Sequence, residues 1–189
     1  MKTSARELKD ITKAWIAISI AFSVLLTKEL FSLEFVINFL ISGLTVGLGF
    51  LLHEMGHKIM AQKYGCFAEF RSFDIMLVLA VIMSFFGFIF AAPGAVMISG
   101  HVNAERNGKI SLLGPLTNFI LAILFLSLGG INMEIIKVIS YYGFFINSIL
   151  GLFNLIPFWQ FDGNKIYHWS KGVWFLMVIF GISIMMLQS

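Results

Sequence analysis

The segment LLHEMGHKIM sets His53, Glu54 and His57 in the pattern H-E-x-x-H. On a helix of 3.6 residues per turn, His53 and His57 lie one above the other on a single face. Both imidazoles then reach one Zn²⁺, and Glu54 addresses a water beside it. Zinc makes such a water acidic enough to supply hydroxide near neutral pH, and a neighbouring carboxylate acts as general base. That is the chemistry of amide hydrolysis. Two imidazoles leave zinc short of a third protein ligand. His101 and His168 fall in polar loops and read as solvated residues, so the stronger candidate is Asp162, which follows an apolar run in FNLIPFWQFDG. Asn154 and Pro157 precede it in the pattern N-x-x-P-x-x-x-x-D-G. Pro157 ends a helix and re-aims the chain so that Asp162 can turn inward. Asn154 offers an amide NH₂ that could stabilise an oxyanion or grip a substrate backbone; an interhelical hydrogen bond is its structural alternative.

The elements that must carry these residues are those of a membrane protein. Of 189 residues, 59% are hydrophobic and 12% charged, and the mean hydropathy is +0.91. A soluble domain of this size could not hide so much apolar surface. Polar residues left inside apolar stretches are therefore functional candidates by default. The single Cys66 excludes an internal disulfide framework and a cysteine metal cluster. The net charge of +3 is spread along the chain rather than gathered in a basic stripe, which argues against nucleic-acid binding. The basic start MKTSARELKDITK leads into an apolar run without a small-residue cleavage site, and reads as a retained first span.

Four segments reach the roughly 17–25 residues a span requires, 11–27, 35–64, 110–128 and 138–157, and a fifth, 173–187, is short and only just spans. The region 67–100 is expected to be a membrane-embedded hairpin or re-entrant segment. Its apolar run is interrupted by Pro93-Gly94, strong turn punctuation, and irregular backbone is tolerated at membrane depth where protein covers it. If this segment returns to the side it left, eleven Lys and Arg share a side with the amino terminus and two, Lys28 and Lys137, do not. The rich side is then cytoplasmic. The same topology delivers Asp162 to the side of His53 and His57, whereas a single crossing would not. The expected fold is thus an all-α polytopic membrane protein, one domain over 1–189, with a catalytic core over about 35–165 and flanking helices at about 11–27 and 173–187. Seven residues separate His57 from Tyr64, which sets the site about 10 Å inside the helix end at 1.5 Å per residue, near the cytoplasmic face.

The sequence resembles the site-2 protease family of intramembrane zinc metalloproteases. The likeness rests on His53, Glu54 and His57, on Gly114, Pro115, Leu116 and Asn118 opening the third span, and on Asn154 and Pro157 followed by Asp162 and Gly163. It implies one Zn²⁺ held by His53, His57 and Asp162, Glu54 as base, and cleavage within transmembrane helices of membrane-anchored regulators. Its partners would be a transmembrane protein substrate and the lipid bilayer. The chain reads as a minimal core, without room for a PDZ domain or a nucleotide-binding tail, and its 67–100 region is more apolar than the β-rich segment expected in the family.

Several supporting positions carry structural expectations. Gly43 and Gly47 form G-x-x-x-G, a close-packing face, expected against the third and fourth spans together with Gly49. Pro115 suits a first-turn position and Asn118 an interhelical hydrogen bond. Lys58 marks the helix reaching the membrane interface. An extended stretch over 91–98 would offer a strand edge to an unwound substrate. Rival functions are a non-catalytic helix- or metal-binding protein, for which Glu54 would have no use, and a metal or small-solute transporter, which would distribute ionisable residues along its spans.

Overall fold

A computed structural model describes residues 2–27, 29–89 and 92–188. Lys28, one of the two cations expected on the sparse side, and Ala91, the start of the expected strand, lie outside the described residues. The protein is mostly helical: α1 (Ala5–Leu26), α2 (Leu33–Ser42), a π-helical turn (Gly43–Gly47), α3 (Leu48–Lys63), α4 (Asp74–Ser84), α5 (Ala104–Leu128), α6 (Glu134–Asn154), α7 (Asp162–Trp169) and α8 (Lys171–Met185). Three continuous helical stretches among the described residues are long and apolar enough to cross a bilayer: Leu33–Lys63, Ala104–Leu128 and Glu134–Asn154. Large apolar side chains stand exposed along α2, α5, α6 and α8, far beyond the patches a water-facing surface carries.

Helix starts follow local chemistry. Ser4, Ser32, Asn103 and Ser170 cap α1, α2, α5 and α8 by accepting backbone N–H bonds with their side-chain oxygens. Gly65, at φ 77°, closes α3 as the expected glycine stop. Because Asn103 sets the start of α5 so early, Pro115 lies deep inside that helix rather than in its first turn. The missing N–H of Pro115 leaves the Ser111 carbonyl without its helical donor.

The fold departs from all-α at a two-stranded antiparallel sheet, β1 (Phe67–Ser72) and β2 (Gly94–Ser99). Pro93-Gly94 is not the turn between two strands. It leads into β2, whose partner comes from before α4, so that a helix is inserted between the strands. Glu7 and Glu54 accept from the amides of Phe70 and Val96, which face each other in the register. Phe70 and Val96 are therefore a non-hydrogen-bonded pair, and the N–H groups of residues 94, 96 and 98 point away from β1.

Side-chain contacts give the direction of each helix. Glu7, Trp15 and Ser23 of α1 meet Lys58, Gly43 and Phe35 in turn. His53 and His57 meet Asn118 and Ile110. Asn118 meets Asn147, and Phe125 packs on Gly143. Trp174 meets Leu155, and Gly181 meets Leu152. Neighbours in this chain of contacts run antiparallel. The amino terminus, the strands β1 and β2 and the segment 155–170 consequently lie at one end of the bundle; the carboxyl end of α8 lies at the other, towards which α4 runs from Asp74, beside Lys13, to Phe85, beside Val24 and Phe35. Gly43 and Gly47 give close approach to Trp15 of α1, not to the third and fourth spans. Gly49 does face the fourth, through Asn147.

Candidate metal centre

α3 carries His53, Glu54 and His57 into the bundle interior, and all three are buried. α6 ends at Asn154, and the chain runs through Pro157 to start α7 at Asp162. Gly163 packs directly on the Leu155 carbonyl, a contact any side chain would block. That approach turns the buried Asp162 carboxylate inward. Its Oδ2 lies 3.1 Å from His53 Nε2 and 3.0 Å from His57 Nε2. Its Oδ1 faces Lys165 Nζ at 3.3 Å. One ligand atom from each of His53, His57 and Asp162 falls within 4.8 Å of the others.

These residues fit a zinc ion. Metal–ligand bonds of about 2.0–2.2 Å give tetrahedral edges of about 3.3–3.6 Å, a few tenths of an ångström beyond the observed separations. The far ring nitrogens are already taken: His53 Nδ1 lies 2.6 Å from Asn118 Oδ1 and His57 Nδ1 2.9 Å from the Ile110 carbonyl. Both partners accept, so each Nδ1 carries its proton and each Nε2 presents a lone pair inward. Metal-binding histidines are oriented in this way. Gly114 of α5 leaves the space: a Cβ there would stand 2.5 Å from His53 Nε2 and 2.6 Å from His57 Nε2. Gly114→Ala is therefore expected to lower zinc stoichiometry well below that of the unaltered protein, measured by metal analysis after purification, while the helical circular dichroism is unchanged.

Glu54 does not join the three. Its Oε2 accepts from the Val96 amide at 2.8 Å, on the outer edge of β2, which holds the carboxylate one residue from His53. Asn154 is placed differently. Its NH₂ donates 2.9 Å to the Leu150 carbonyl in its own helix, so a substrate contact would require that bond to be given up. His101 and His168 are exposed, as expected, but His168 lies in α7 rather than in a loop, its Nδ1 2.7 Å from the Asn164 carbonyl.

Three features were not foreseen. Asn147 is fully buried and bonded to Asn118; it is an amide in an otherwise apolar helix, the kind of residue that lipid burial flags by default. Lys165 approaches Asp162 rather than standing as a loop cation. Lys58 is fully buried against Glu7, not at an interface; its position one residue after His57 on a helix whose histidines face inward is the available hint.

No protein-family model matches the chain, and no solved structure matches it significantly. Two proteins of Methanocaldococcus jannaschii are similar. One, named "Putative zinc metalloprotease", is 41% identical over 175 residues, covering 90% of this chain and 88% of that protein. The other, named "Zinc metalloprotease", is 30% identical over 119 residues, which span 61% of this chain and 30% of the longer relative. An H-E-x-x-H helix, an inward third carboxylate and oriented imidazoles agree with those names: the chain belongs to the family of zinc metalloproteases that these relatives represent.

Proposed function

We propose that the protein is an intramembrane endopeptidase of the site-2 protease type, hydrolysing peptide bonds in or near transmembrane segments of membrane-anchored proteins, regulators among them. The observation that carries this reading is the position of His53, Glu54 and His57, buried on a helical stretch long and apolar enough to span a bilayer. A protease acting on soluble chains has no need to set its base and ligands there.

The membrane arrangement is five spans, α1, α2–α3, α5, α6 and α8, with 67–100 entering and returning. The single end shared by the amino terminus, by both strands and by 155–170 supports it, and so does the cation count. That end is cytoplasmic in a multi-pass cell-membrane protein, and the site lies just inside it. Of the eleven cations, Lys58 is neutralised by Glu7; the bias survives its removal.

His53, His57 and Asp162 hold the zinc. When bound, it acidifies water and polarises the scissile carbonyl. Glu54 removes a proton from the attacking water and returns it to the leaving amine. The outward N–H of Ile98, next to the Val96 amide that holds Glu54, offers a strand edge to which an unwound substrate segment can add. Asn154 is a candidate grip on the substrate or its oxyanion.

The test uses the protein in liposomes with two fusion substrates, one containing a transmembrane segment and one in which that segment is replaced by a soluble linker. Cleavage is expected of the first alone, within or beside the segment by mass spectrometry, lost on chelation and restored by Zn²⁺. Equal cleavage of the soluble fusion sinks the intramembrane reading. Ile98→Pro, which removes an edge donor without touching the β1–β2 ladder, should slow cleavage at least tenfold; an unchanged rate rejects strand addition.

A further inference from the structure

Behind His53 runs a chain of buried amides. Asn118 Oδ1 faces His53 Nδ1, and Asn118 Nδ2 donates to the Gly49 carbonyl at 3.2 Å and to Asn147 Oδ1 at 3.0 Å. Asn147 Nδ2 in turn donates 2.8 Å to the Gly143 carbonyl and, at 3.5 Å, to the Thr45 carbonyl in the π-helical turn. Thr45, Asn118 and Asn147 are all fully buried. Carbonyls only accept, so Gly143 and Thr45 fix the NH₂ end of Asn147. Its Oδ1 must then face Asn118, which in turn places the NH₂ of Asn118 away from His53 and its oxygen towards it.

The consequence falls on His53. With an acceptor at Nδ1, the neutral imidazole carries its proton there and leaves Nε2 free as a ligand. An Asn118 amide turned by half a rotation would instead donate to Nδ1, favour the proton on Nε2, and disable the ligand. Gly49 alone offers Asn118 one acceptor; Asn147 supplies the second. Room for it is built in, because a Cβ at Gly49 would fall on the Asn147 amide. The π-helical turn brings the Thr45 carbonyl to the far end of the chain, a use consistent with the enrichment of π-bulges at functional sites.

We propose that Asn147 is a positioning residue for the metal site, acting through Asn118 to hold His53 in the tautomer that binds Zn²⁺. This rests on the reading of His53 as a ligand. The test is made on the full chain in detergent with Zn²⁺ as probe, using Asn147→Leu, and Gly49→Ala as a variant that crowds the relay while keeping every polar group. Zinc affinity, by chelator competition, should fall roughly 10- to 100-fold in each. In the Zn²⁺-loaded protein with ¹⁵N-labelled histidine, the His53 Nδ1–H signals should move upfield and exchange faster with solvent as the bond to Asn118 weakens. Those of His57, anchored on the Ile110 carbonyl, should stay. Unchanged affinity with unchanged His53 signals overturns the proposal, and equal movement of both histidines shows general loosening and overturns it as well. His53→Ala is the separate control: if it binds Zn²⁺ as the unaltered protein does, the metal-site reading fails rather than the relay.

Discussion

Glu54→Gln should reduce peptide-bond cleavage by a factor on the order of 10²–10⁴, the range supplied by a positioned general base, while leaving zinc stoichiometry and helical content as they are. The reason lies in what Glu54 touches. His53, His57 and Asp162 converge on one another, whereas Glu54 is held aside by the Val96 amide through Oε2. A carboxylate tethered through one oxygen keeps the other for proton transfer. Glutamine retains the acceptor oxygen for Val96 and the side-chain volume, so the tether survives and only the basicity is lost. The expected signature is a fall in kcat with KM nearly constant, because the interaction removed belongs to the transition state. A variant that cleaves at the unaltered rate would assign the base elsewhere; one that also loses zinc would make Glu54 a ligand.

The meeting of His53, His57 and Asp162 is legible in the sequence because it depends on two simple quantities. One is the helical period, which stacks residues four apart. The other is the parity of spans, which decides the end of the bundle at which Asp162 emerges. The long helices are equally legible, since lipid burial writes long charge-free runs, and the observed boundaries of the α2–α3 stretch, α6 and α8 differ from expectation by a few residues; the short polar α7 falls in what reads as a loop. The strands are not. β1 is six residues of mixed character, FAEFRS, and its partner lies beyond an intervening helix. Pairing across such a distance leaves no local periodicity to read, and Pro93-Gly94, strong punctuation in isolation, served as an entry to a strand. The same reason hides the partners of polar residues. Asn147 and Asn118 are 29 positions apart, and Lys58 and Glu7 are 51. A buried amide or ammonium announces that it needs a partner without naming it. Gly43 and Gly47 likewise announce a close approach, and only the packing of α1 shows that Trp15 uses it.

The largest effect expected on stability is that of Lys58→Met, a loss of about 3–5 kcal/mol in unfolding measured in detergent, the usual cost of stranding one member of a buried ion pair. Lys58 Nζ lies 2.7 and 2.6 Å from the two Glu7 oxygens and 3.1 Å from Thr3 Oγ1, and neither side chain of the ion pair meets solvent. Glu7 also accepts from the Phe70 amide at 2.9 Å, so one carboxylate ties α1 to α3 and to the outer edge of β1. Removing the ammonium leaves that carboxylate desolvated with a single backbone donor. The pair itself need not be strongly stabilising, because the attraction largely offsets the desolvation of both charges. Glu7→Gln combined with Lys58→Met should therefore recover most of the loss: the glutamine oxygen still accepts from Phe70, and no charge remains buried. A double-mutant cycle reads this as a strong coupling between the sites. Additive effects of the two substitutions, or a Lys58→Met protein as stable as the unaltered one, would show that the pair is not what fastens α1 to the helix bearing His53 and His57.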